Sequence, residues 1–153
     1  MILSGQSIRR RDLITPFSER TEFNGMTFGV GPAGYDLRVE FDKDGLVDSV
    51  VILPGQHLLA STIEHFTMPP DLLGVVHDKS SWARRGLVVQ NTVIEPGWFG
   101  FLTLELSNHG SEDILIRKGS PIAQVIFHVL DEPAEAPYYG KYSGQERGPQ
   151  SAR

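Results

Sequence analysis

At 153 residues, 40% of them hydrophobic and 22% charged, the chain has the length and composition of one globular domain with a core of ordinary size. Its formal net charge of -5 excludes a general binder of nucleic acid or membrane surfaces, so any phosphate ligand must be held by local cations rather than by an overall field. With no cysteine there is no disulfide framework, no thiolate nucleophile and no Cys-containing zinc site, as suits a cytoplasmic protein.

The opening MILSGQSIRRRDLI sets its basic residues after its few apolar ones, the reverse of a secretory signal. No stretch approaches the roughly 18 apolar residues of a membrane span, and the expected location is cytoplasmic. This first segment reads as a short helix capped by Ser4, with Ile8 and the Leu13-Ile14 pair as a weak apolar stripe and Pro16 as its end.

From Tyr35 onward, short apolar runs alternate with turn signals: DLRVEF, DKDG, VVIL, PGQ, HLLASTIEHF and MPPD. The later runs LGVV, LVVQNTVI, FLTLELS, DILI and IAQVIFHVL are separated by EPGW, NHGSE and RKGSP. This pattern predicts one mainly antiparallel β-domain over residues 1–153, of sandwich, jelly-roll or distorted-barrel type. The exception is SSWARR, where Ser80 or Ser81 would cap a single helical turn whose N–H groups favour an anion. Residues 132–153 are too polar to build a core and are expected to be mobile when free.

Strict alternation in FLTLELS sets Leu102, Leu104 and Leu106 on one face and Phe101, Thr103, Glu105 and Ser107 on the other. If that second face lines a cleft, burial raises the Glu105 pKa toward the range useful for moving protons near neutrality. Otherwise Glu105 is a solvated strand carboxylate. Glu95 precedes a Pro-Gly turn and Trp98 follows it, at the tip of an expected hairpin between LVVQNTVI and FLTLELS; the indole there either stacks on a ring or covers a core edge. Gln124, the lone amide among apolar neighbours, requires a defined hydrogen-bond partner. In the tail, GKYSGQ offers Lys141 for phosphate, Tyr142 for stacking and the Gln145 amide for a base edge. The five histidines lack close ligand spacing, so no metal site is expected from them.

Six segments, taken in order, carry a resemblance: ILSGQSI, GYDLR, KSSWARRGL, IEPGWFGFLTLELSN, KGSPIAQVIF and GKYSGQ. Together they resemble the dCTP deaminase and dUTPase superfamily, the deaminase branch more closely. The resemblance implies a dUTPase-like distorted jelly-roll subunit of β-clip type with short helices. It also implies a homotrimer with active sites between subunits and a C-terminal lid formed by 132–153. By the same resemblance Lys79, Ser80, Ser81 and Arg84 grip the triphosphate, with Mg2+ riding on the phosphates and Gln124 nearby. Glu105 falls on the catalytic glutamate, and Ser80 helps hold the attacking water. Trp98 lies by the deoxyribose, and Tyr138, Lys141, Tyr142 and Gln145 belong to the closing tail.

The implied activity is zinc-independent deamination of dCTP to dUTP and ammonia, because the zinc route of many nucleobase deaminases uses cysteine ligands. Two features separate this chain from its well-known bacterial relatives: VVQNTVI is shorter than their equivalent segment, and Glu95 stands where they carry Asp. In dUTPases that Asp activates the water attacking phosphorus, so a dUTP diphosphatase, or a bifunctional enzyme forming dUMP, is the alternative. A catalytically silent nucleotide-binding trimer is the third reading.

Overall fold

A computed structural model describes residues 1–90 and 92–153; Asn91, inside the VVQNTVI segment, lies outside the described residues. The chain runs α1 (Gly5–Arg10), β1 (Ile14–Thr15), β2 (Thr21–Phe23), β3 (Met26–Val30), β4 (Tyr35–Glu40), β5 (Ser49–Ile52), β6 (His57–Thr67) and β7 (Leu72–Asp78). It continues through α2 (Ser80–Ala83), β8 (Leu87–Val89), β9 (Val93–Ile94), β10 (Phe99–Asn108), β11 (Ile114–Arg117) and β12 (Pro121–Val129). A ten-stranded sheet follows the order β8-β10-β6-β4-β12-β7-β9, with β1 on β6 and the β2–β3 hairpin on β4; β5 and β11 form a separate pair.

Alternating apolar residues explain why these strands close on one core. Tyr35, Leu37 and Val39 of β4, Leu104 and Leu106 of β10, and Val125 and Phe127 of β12 are fully buried. The mainly β, largely antiparallel architecture expected from the sequence is the one observed. Glu64 is also buried in this core, and Arg38 meets it twice, through its backbone N at 2.9 Å and its Nε at 2.7 Å. Burial nevertheless holds the Glu64 carboxyl above its usual value.

Four local expectations are corrected. Helix α1 ends at Arg10 because Asp12 takes a left-handed φ of 49°; Ile14 then pairs with Phe66 of β6 rather than extending a helical stripe. Ser4 does occupy the N-cap, but its hydroxyl meets Ser7 Oγ instead of a backbone N–H. In α2 the capping position belongs to Lys79, whose carbonyl accepts from Trp82 N and Ala83 N, while Ser80 and Ser81 already lie inside the turn. Finally, LVVQNTVI is not one hairpin strand: β8 pairs with β10, whereas β9 crosses to pair with β7. Turn signals mark where a strand may stop, but the choice of partner is made by the other side of the sheet.

Candidate active site

From Thr103 to Ser107 β10 alternates as the sequence requires, but a register shift between Phe101 and Thr103 interrupts the pattern and brings Leu102, expected on the opposite face, to the same cavity as Thr103 and Glu105. Opposite β10, on β6, Leu59 pairs with Glu105 and His57 with Ser107, so these side chains share one surface. That surface forms the wall of a cavity of about 600 Å3, which includes His57, Leu59, Thr103 and Glu105. Nδ1 of His57 lies 3.3 Å from Ser107 Oγ.

Glu105 is half-buried there, and the loss of solvent around it raises its pKa; its own backbone hydrogen bond and the nearby His57 pull the other way without reversing the shift. A carboxyl held upward in a cavity exchanges protons more readily near neutrality than an exposed one. Glu95 lines the same cavity from the turn between β9 and β10, where Trp98 N donates to Glu95 O at 3.0 Å.

The cavity is roofed by the chain's own C-terminal segment. Trp98, only 5% exposed, packs against Phe66 and donates from Nε1 to Tyr142 O at 2.8 Å. Thus the indole covers a core edge, one of the two readings of its sequence position, and also lines the cavity. Tyr138, Tyr142 and Gln145 line the cavity, and Tyr138 N donates to Pro96 O. Gln145 runs beside the start of β10: Phe101 N donates to its carbonyl at 3.0 Å and Gly144 N donates to Phe99 O at 2.8 Å. Lys141 turns elsewhere, over the Tyr142 ring and onto the carbonyl of Arg153. Farther along, Arg147 reaches the fully buried Glu40 at 2.7 Å, fastening the segment to the body.

The cationic corner stands apart. None of Lys79, Ser80, Ser81, Arg84 and Gln124 lines this cavity. Ser80, Ser81 and Arg84 are exposed on α2, while Lys79 Nζ is held 2.7 Å from Asp36 Oδ2 at the base of the turn. The partner required for Gln124 is the same carboxylate: its Nε2 donates to Asp36 Oδ1 at 3.1 Å. Asp36 therefore orients a lysine and an amide together. Among the described residues, no three His, Asp or Glu side chains come together as a metal site, and no helix is long and apolar enough to cross a membrane.

Sequence reasoning did not single out His57, Thr92, Gln150 or Ala152 as cavity residues, or Asp36 as the organiser of the corner. Thr103 was legible as a neighbour of Glu105 on the same face, but its contacts come from distant tail residues that no local pattern could supply.

Comparison with known proteins finds relatives by sequence and by fold. A family model described as dCTP deaminase-like matches residues 39–130. A dCTP deaminase of Pyrococcus furiosus is 39% identical, with 96% of this chain and 94% of that protein covered. Among solved structures, the 2'-deoxycytidine 5'-triphosphate deaminase of Agrobacterium tumefaciens superposes with a TM-score of 0.66 at 22% identity, over 84% of this chain and 47% of that one. Native EIAV dUTPase superposes with a TM-score of 0.60, also at 22% identity, over 84% of this chain and 97% of that one.

Proposed function

The chain belongs to the dCTP deaminase-like family, and from that premise we propose that it hydrolyses dCTP to dUTP and ammonia, as a cytoplasmic homotrimer. The observation that carries the reading is Glu105: a half-buried carboxyl with a raised pKa, on the wall of a cavity that also holds Trp98 and Gln145. In this reaction Glu105 takes a proton from water as oxygen bonds to C4 of cytosine. The carboxyl passes that proton to N3, then takes the proton of the new C4 hydroxyl and gives it to the departing amine, so that the C4–N bond breaks as the C4 carbonyl forms. Trp98 lies against the deoxyribose and Tyr138 and Tyr142 close the cavity, while the Gln145 amide meets the base.

The triphosphate falls to Lys79, Ser81, Arg84 and Gln124, with Lys141 closing from the tail and Ser80 helping to hold the water. Guanidinium, ammonium and hydroxyl donors suit phosphate oxygens rather than a bare cation, and Mg2+ would arrive with the nucleotide, neutralising phosphate charge. This corner lies outside the cavity of its own chain, which supports a trimer in which each site takes its phosphate grip from a neighbouring subunit.

Glu105→Gln tests the assignment. Ammonia release should fall by about 10²- to 10⁴-fold, while dCTP binding with Mg2+ persists; unchanged turnover would remove Glu105 from the mechanism. A second reading rests on Glu95, a carboxylate in the same cavity: diphosphate release from dUTP, alone or after deamination. Pyrophosphate among the products from dCTP or dUTP would establish it, and a pure deaminase makes none.

A further inference from the structure

The segment that roofs the cavity is pinned to the body at several points, and one of them is electrostatic. Glu40, the last residue of β4, is fully buried. Its Oε1 accepts from Phe41 N at 3.1 Å, and its Oε2 accepts from the Arg147 guanidinium at 2.7 Å. Lys118 lies nearby but is turned to Gly45 O and Asp48, so among the described residues Arg147 alone forms an ion pair with this carboxylate. A buried carboxylate whose cation leaves is stranded where nothing solvates it, which costs far more than parting a surface pair.

The chain fits as closely just beyond Arg147. Gly148 has a φ of 91°, and a Cβ there would stand 2.7 Å from Lys43 N, so the tail lies directly on the backbone of the loop that follows β4. Arg147 does not itself line the cavity, but cavity residues flank it on both sides. Gln145, two residues before it, is bridged to Gly100; Gln150, three residues after it, donates from its backbone N to Thr103 Oγ1 at 3.0 Å. Whatever holds Arg147 therefore holds the stretch of roof between two residues that face the ligand space.

We propose that Arg147 and Glu40 form the latch of the cavity roof: Arg147 is a positioning residue whose docking on the buried carboxylate sets how much of the time the tail is closed before a nucleotide is bound. Lifting the tail at this point strands Glu40, and the charge is paired again only when the tail returns. The latch rests on the ion pair alone; its consequence for dCTP rests on the function proposed above. Where the closed form is populated for only part of the time, apparent affinity falls by that fraction. The closed site itself is unchanged, so turnover by enzyme that nucleotide holds shut is unchanged too.

Steady-state kinetics with dCTP and Mg2+, together with amide hydrogen exchange on the nucleotide-free protein, test this. In Arg147→Ala the KM should rise about 10-fold or more while kcat stays within about 3-fold of wild type. Arg147→Lys, which keeps a cation, should restore part of the affinity. Glu40→Gln removes the buried charge instead of stranding it, so it keeps the test open if Arg147→Ala fails to fold, and it should raise KM likewise. Combining Glu40→Gln with Arg147→Ala should raise KM no further than the worse single change. In both single variants the amides of Gly144 and Gln150, which donate to Phe99 O and Thr103 Oγ1, should exchange faster while those of the core strands keep their protection. A kcat that falls with KM unchanged would overturn the inference, because loss of folded enzyme then accounts for the effect; so would unchanged exchange at Gly144 and Gln150. Faster exchange there, in a protein whose wild-type form releases no ammonia from dCTP, would uphold the latch and overturn only the deaminase reading.

Discussion

The cavity walled by β6 and β10 and the corner at the end of β7 differ in how much of their chemistry one chain completes. In the cavity, carboxyl, indole and carboxamide are brought together by strands and tail of a single chain, and contacts tie the tail to the strand beside them: Trp98 to Tyr142, Thr103 to Gln145, Gln150 to Thr103. At the corner, Lys79 and Gln124 are preset by Asp36, but Ser80, Ser81 and Arg84 face outward on one helical turn. A base reader needs shape and buried polarity, which only a closed fold supplies. Under the function proposed above, the corner is the phosphate grip and its outward donors are those presented to a neighbouring chain's cavity.

The sharpest way to break this comparison is to separate the two halves genetically. Chains carrying Glu105→Gln and chains carrying Arg84→Ala should each lose nearly all turnover. Unfolded together and refolded as mixed trimers, they should recover about a quarter of wild-type activity, because one site in four pairs an intact glutamate with an intact arginine from its neighbour. A site formed within one chain predicts no recovery, since every chain carries a lesion. Counting ammonia released per site before and after mixing decides between the two.

A middle-sized effect should distinguish the regions by stability. Trp98 is almost wholly buried between Phe66 and the tail, so Trp98→Ala should cost about 3 to 5 kcal/mol in denaturant unfolding. Trp98→Phe, losing chiefly the bond to Tyr142 O, should cost about 1 kcal/mol. Arg84→Ala, on the exposed corner, should stay within about 0.5 kcal/mol of wild type while its nucleotide affinity falls. Equal destabilisation by Arg84→Ala and Trp98→Ala would mean that the corner is part of the core after all.

The same division governs what could be read from the sequence. The alternation of FLTLELS placed Glu105 opposite Leu104 and Leu106 without any tertiary information, though not the irregularity that brings Leu102 to the cavity, and the isolated amide Gln124 required the partner it has in Asp36. The two-residue Asn24-Gly25 turn, with positive φ at both residues, closes the β2–β3 hairpin; this strong local signal was available, although reading strands only from Tyr35 onward passed it over. By contrast, the splitting of LVVQNTVI between two sheet edges depends on partners far along the chain. So does the roofing of the cavity, because Gln145 and Gln150 meet Thr103 across more than forty residues. Local pattern gives the facing of a side chain; long-range pairing gives its company.

The smallest effect concerns Glu105 itself and has a sign that can be worked out. Its carboxyl is raised in the folded protein by burial, and His57 only partly offsets this. Between the ordinary carboxylate value and the raised one, the folded state holds a proton that the unfolded chain has released, so stability falls as pH rises through that window. Above it the penalty is constant. Glu105→Gln removes the charge and hence the penalty, so this variant should melt higher than wild type at pH 8. The gap should close as acid protonates the carboxyl in both states. The same proton should set the acidic limb of kcat/KM, displaced upward from the pH where an exposed glutamate would act. Melting curves across this range are a direct check, because a gap that widens on acidification would mean that Glu105 is stabilised as the carboxylate, like a paired surface acid, and not held up by the cavity.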